Sequence, residues 1–169
     1  MGLPRKLKNF ATFVDGDNYM GETPEVTLPT LTRKLEEYRA GGMNGPVSLD
    51  LGMDKLEAEI KGAGWIAELT RTWGAGTHDA VLLRFVGAIQ ADDSEAVLSV
   101  EVVMRGRLAE VKPDAAKAGE LQSHTYKYAL SYYKLTIDGN VELEIDLPNL
   151  VEVVDGDDRL AAVRTALGV

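Results

Sequence analysis

Apolar side chains recur at every second position in several stretches, and this period restricts much of the chain to strands. Val47, Leu49 and Leu51 alternate with Ser48 and Asp50, and Leu56, Ala58 and Ile60 alternate with Lys55, Glu57, Glu59 and Lys61. Leu98, Val100, Val102 and Met104 alternate with Ser99, Glu101 and Arg105, and Val141, Leu143, Ile145 and Leu147 with Glu142, Glu144 and Asp146. Each pattern predicts an antiparallel strand with one apolar and one polar face. The segment 80–89 is nearly all apolar apart from Arg84, so it is expected to be covered on both sides.

From Thr125 to Asp138 the period changes phase. Tyr126, Tyr128, Leu130 and Tyr132 occupy even positions, then Tyr133, Leu135 and Ile137 odd ones. A slip of one residue predicts a bulge or bend that moves the chain to another layer, as in the corners of orthogonal sandwiches. Asp138-Gly139 then predicts a tight hairpin turn into Val141. Two helices interrupt the strands. One carries Trp65, Ile66, Leu69 and Trp73 on a single face between glycine-rich boundaries, with both tryptophans expected in the core. The other carries Leu160, Val163 and Leu167, with Asp157 as its expected N-cap and Gly168 at its end. Together they predict a mainly β fold, one domain over residues 1–169.

Composition removes most chemistry. The chain has no cysteine and two histidines, which excludes disulfide scaffolds, thiol catalysis and thiolate metal sites. No run approaches the ~18 apolar residues of a membrane span. The opening Met1-Gly2-Leu3-Pro4-Arg5-Lys6 lacks a signal-peptide core, and Lys6 stands where a myristoylation motif needs Ser or Thr. The expectation is a soluble protein made and kept in a cytoplasm. Eighteen Lys and Arg stand against 27 Asp and Glu, a net charge of −9. Residues 1–43 are balanced, while the segment from Asp138 to Asp158 has eight acids and no base. Such a surface repels phosphates and argues against tight nucleic-acid binding.

Local motifs supply no active site. Val14-Asp15-Gly16-Asp17 recurs as Val154-Asp155-Gly156-Asp157, but the next calcium-ligand position falls on Tyr19 or Arg159, so both are expected to be turns. The glycine-rich segment 40–46 lacks the Lys-Ser/Thr of a phosphate loop and reads as a flexible turn or arm. His78-Asp79 and Ser123-His124 are adjacent pairs, and adjacency is not triad geometry. No catalytic, cofactor-binding or metal-ligating residue is assigned. Half-polar strands in so short a chain instead point to edges completed by other copies.

Longer motifs carry a resemblance. Leu3-Pro4-Arg5-Lys6-Leu7, Tyr19-Met20-Gly21, Val26-Thr27-Leu28-Pro29 and Leu31-Thr32-Arg33-Lys34 come first. Glu37-Tyr38-Arg39, Gly41-Gly42-Met43-Asn44-Gly45-Pro46-Val47 and Asp50-Leu51-Gly52 follow, then Leu83-Arg84-Phe85 and Arg105-Gly106-Arg107. Tyr132-Tyr133-Lys134-Leu135-Thr136-Ile137-Asp138-Gly139, Glu144-Ile145-Asp146, Val154-Asp155-Gly156 and Asp158-Arg159-Leu160 complete the series. In this order they resemble the tail tube proteins of contractile-tailed bacteriophages, the FII type, over nearly the whole chain. Tubes of R-type pyocins and other contractile injection particles are similar.

The resemblance implies a β-sandwich or barrel tail-tube fold with one packed helix and a short C-terminal helix. It implies a structural virion protein without cofactor, located in the tail and assembled in the host cytoplasm. Hexameric rings of this chain would stack into a hollow tube inside a contracting sheath, and DNA would pass through the lumen without specific binding. Implied partners are the tail sheath, tape measure, baseplate and tail terminator proteins. A type VI-like secretion tube and a small-molecule-binding β-barrel are the rival classes. Within a tube, Arg39, Gly41, Gly42, Met43, Asn44, Gly45 and Pro46 are expected in an arm spanning residues 39–53 that reaches the neighbouring ring. Glu57 and Glu59, with Glu142 and Glu144 next, are the expected lumen acids. Asp155, Asp157 and Asp158 are either helix-capping residues or contacts to a basic element of the sheath.

Overall fold

The structure is a computed structural model and describes residues 2–169. In chain order the elements are β1 (Arg5–Val14), β2 (Asp17–Asn18), β3 (Glu25–Thr27), β4 (Arg33–Tyr38), β5 (Val47–Met53) and β6 (Leu56–Ala63). Then come α1 (Ala67–Arg71), β7 (Val81–Ala91), β8 (Val97–Pro113), β9 (Ser123–Ile137), β10 (Asn140–Asp146), β11 (Val151–Val154), β12 (Asp157–Asp158) and α2 (Ala161–Leu167).

The long hairpin β8–β9 organises the fold. Its first part, Val97–Arg105 of β8 with Tyr132–Ile137 of β9, lies between β7 and β10. Its second part pairs the rest of β8 with Ser123–Leu130 of β9, and β6 takes the outer edge of β9 there. The register jumps between the pairs Arg105↔Tyr132 and Gly106↔Leu130, leaving Ser131 without a cross-strand partner. This bulge is the phase slip seen in the sequence. It exchanges β6 for β10 as the neighbour of β9, while β9 stays paired with β8 throughout.

Ten strands thus form one sheet, running β12-β11-β10-β9-β8-β7-β1-β2 with β6 and β3 branching from β9. Its two parts close on one core. Leu56, Ala58 and Ile60 of β6 meet Leu83 and Phe85 of β7, Val102 and Met104 of β8, and Tyr126, Tyr128 and Tyr133 of β9. The even positions of β6 are buried and the odd ones half-buried, as the alternation predicts. Asp138 and Gly139 both have positive φ in the turn into β10. The two Asp-Gly motifs at 15–16 and 155–156 are likewise turns.

Four sequence expectations are corrected. Trp65 and Trp73 are 81% and 58% exposed, so the core face of the first helix is Ile66 and Leu69 alone. That helix is a short turn, Ala67–Arg71, and the flanking tryptophans lie outside its burying arc. The segment 80–89 is buried on one face only; Leu82, Val86 and Ala88 on the other are half-buried and Arg84 is exposed. Asp157 lies in β12 and is not the N-cap: the residue before α2 is Leu160, whose side chain makes no capping hydrogen bond. Gly168 does end α2 in the left-handed conformation, at φ 74°. The apolar stripe of α2 packs on no core, and Val163 and Leu167 are exposed.

Candidate functional site

The segment around the glycine-rich motif stands apart from the main sheet as a separate two-stranded hairpin, β4–β5. Residues 39–46 form its connection. Gly42 has φ +85°, a conformation most side chains resist, and Met43 closes the turn by donating its N–H to the Ala40 carbonyl at 3.2 Å. Gly41, Gly42, Asn44 and Pro46 are exposed, as is Arg39's neighbour Tyr38. Every residue of β4 is exposed. The pairs Tyr38↔Val47 and Glu36↔Leu49 put Tyr38, Val47 and Leu49 on one face with Glu36, and among the described residues nothing buries it. An alternating strand with an uncovered apolar face is a surface built for contact.

The root of this hairpin is tied down. Asp54 N–H donates to the Thr32 carbonyl at 2.8 Å. The Arg33 guanidinium pairs with Glu152 of β11 and lies 3.6 Å from Asp50 of β5. Arg33 and Glu152 were not among the sequence-predicted site residues. Their partnership spans 119 positions, so no local pattern signals it.

Glu57 and Glu59 lie on the face of β6 opposite the core, as parity predicts. They are not free acids. Lys127 of β9 stands 3.2 Å from Glu57 and 4.0 Å from Glu59, and Lys55 lies 3.0 Å from Glu57. Hydrogen bonds from Lys55 and Lys127 hold the Glu57 carboxyl below its ordinary value, and Glu57 in turn raises Lys127. Lys127 was also missed, although its cross-strand register with Glu59 follows once β6 and β9 are paired. Glu144 accepts a hydrogen bond from the Tyr132 hydroxyl at 2.7 Å, and burial with that bond pushes the tyrosine's pKa well up.

The C-terminal acids have local partners. Asp158 pairs with Arg164 and accepts from the Leu160 N–H at 3.1 Å, while Arg164 also donates to the Leu150 carbonyl at 2.7 Å. Asp157 lies 2.8 Å from Arg159, and Asp155 sits at positive φ in its turn. The structure therefore brings Asp158 into the knot that fastens α2, keeps Asp157 beside Arg159 outside it, and leaves Glu57 and Glu59 on a different strand of the sheet.

The histidines pair with other groups than their sequence neighbours. His78 Nδ1 is 2.8 Å from the Ser131 hydroxyl, and His124 Nδ1 is 3.0 Å from the Gly64 carbonyl, with Trp65 edge-on to the ring. His124 is buried, against Trp65 and Tyr126.

Residues 4–168 match the family described as phage tail tube protein FII. The chain is 43% identical over 172 residues to the tail tube protein of Escherichia phage P2, covering all of both chains. It is 44% identical over 158 residues to the major tail tube protein of Serratia phage KSP20, covering 92% of this chain and 91% of that one. Among solved structures, it shares the fold of a chain in the sheath-tube complex of the extracellular contractile injection system PVC in its extended state. The TM-score there is 0.60 at 8% identity, covering 79% of this chain and 91% of that chain. Sequence match along the whole length and a mainly β fold agree, and the chain belongs to the phage tail tube protein FII family.

Proposed function

We propose that this chain is the repeating subunit of the inner tube of a contractile tail. Copies close into hexameric rings, rings stack into a hollow tube within a sheath, and the tube is the conduit for DNA ejection. The observation that carries this reading is the end-to-end identity with the P2 tail tube protein. The uncovered β4–β5 hairpin supports it, because a subunit needs a projecting element to bridge one ring to the next. The sheath contacts the outer wall of the tube, with Asp155, Asp157 and Asp158 as candidates for its basic element. Tape measure, baseplate and terminator proteins complete the tail, which assembles in the host cytoplasm.

The test is assembly of the purified protein without nucleotide or metal. Sedimentation and negative-stain microscopy over rising concentration should show rings and then tubes of uniform diameter. A protein that stays monomeric at high concentration near neutral pH contradicts the reading.

A further inference from the structure

Glu152 is the carboxylate that this fold buries: among the described residues it is the one acidic side chain in the buried class, with its side chain 7% exposed. A buried carboxylate is tolerated when a cation meets it, and left unpaired it is strongly destabilising. The cation here is Arg33, at the first position of β4. The same guanidinium lies 3.6 Å from Asp50 on the opposite strand of the hairpin, so its planar fork ties both strands of the arm to β11. The hairpin makes no strand pairing with the main sheet. Its direction from the body therefore depends on its root.

The far side of the anchor is also fixed. The Glu152 carbonyl accepts the Arg159 N–H at 2.8 Å, and two residues earlier the Leu150 carbonyl accepts from Arg164 of α2 at 2.7 Å. Strand β11 is thus held by its ladder with β10 and by the C-terminal knot, a firm footing for the arm. We infer that Glu152 is a positioning residue, whose buried charge sets the direction of the β4–β5 arm in the free subunit before any second ring is present. This rests on the proposal that the arm contacts the next ring. An arm held in its docking direction loses less freedom on contact, which lowers the concentration at which rings stack.

Glu152→Gln keeps the side-chain size and removes the charge. In the free subunit, hydrogen exchange of amides in residues 33–53 should speed up about tenfold, with the β8–β9 amides unchanged. The threshold concentration for tube formation should rise about tenfold, as expected for a lost pre-organising contact. Arg33→Met, on the exposed side of the pair, should reproduce both effects and, by leaving the buried Glu152 charge without its cation, loosen β11 as well. The reversed pair, Arg33→Glu with Glu152→Arg, should recover part of each. Wild-type exchange in the arm of both single variants would overturn the inference. Faster exchange with an unchanged threshold would overturn the positioning role and leave the tube reading intact. If the wild-type protein formed no tubes, the proposed function would fall, and the tether would still stand or fall on arm exchange in the free subunit.

Discussion

Gly106 shows how one residue can decide a fold. It sits beside the bulge where β9 changes neighbour, and a Cβ there would lie 2.2 Å from the Ala129 carbonyl oxygen and 2.9 Å from Leu130 Cδ2. Backbone cannot move away as a flexible side chain can, so Gly106→Ala should destabilise the protein by about 2–4 kcal/mol in urea unfolding. Unchanged stability would mean that the bulge relaxes freely. Asp158 makes a second prediction at this scale. Its bond with Arg164, helped by the Leu160 N–H, lowers its carboxyl pKa below the unfolded value. Its stabilising effect is therefore present at neutral pH and lost as pH falls through the depressed value. Acidification should release α2 before the core melts, seen as early loss of amide protection over residues 161–167. Simultaneous loss of both would contradict the local role. Parity at Leu56, Ala58 and Ile60 was legible because alternation is local. Glu152 was not, since its partner lies 119 positions away. The tryptophans misled because a large apolar side chain says nothing of whether its own chain or another covers it.

Among the elements, the strands of the arm were the clearest case of a right pattern with a missing partner. Val47, Leu49 and Leu51 alternate as a half-buried strand should, and β5 forms, yet all three are exposed. Among the described residues nothing packs on them, and the proposed ring-to-ring contact would supply the missing surface. The glycine-rich segment was legible as a turn, but the hairpin's extension back to Arg33 was not, because Arg33-Lys34-Leu35-Glu36-Glu37-Tyr38 has no clean alternation. Helix α1 was overread for a related reason: four large apolar residues at helical spacing outlast the single turn of α-helix that forms. We predict that Gly41→Val with Gly42→Val blocks ring stacking and leaves the fold intact. A β-branched side chain at φ +85° is strained by about 1–2 kcal/mol, and the tip packs on nothing through which that strain could spread. Thermal unfolding should stay within a few degrees of wild type, while tubes fail to lengthen. Normal tubes from the double variant would remove the arm tip from the stacking contact.

At the scale of the whole molecule, the protein is a structural tail component rather than an enzyme. A net charge of −9 per subunit works against close packing of identical copies, and the ion pairs in the structure show how that charge is locally relieved. If the Glu57–Glu59 face of β6 lines the channel, Lys55 and Lys127 balance it, and the wall presented to DNA is a mixed one. Glu57→Lys with Glu59→Lys should then leave assembly unchanged and slow genome ejection by turning a balanced ladder basic; an unchanged ejection rate would show that this face is not the lumen. The most direct measurement is a helical cryo-EM reconstruction of tubes grown from the purified chain. The expected result is stacked rings of identical subunits in which the hairpin from Arg33 to Met53 crosses to the adjacent ring and buries Tyr38, Val47 and Leu49 there. Tubes whose hairpins stay in solvent, with rings joined through other surfaces, would contradict it.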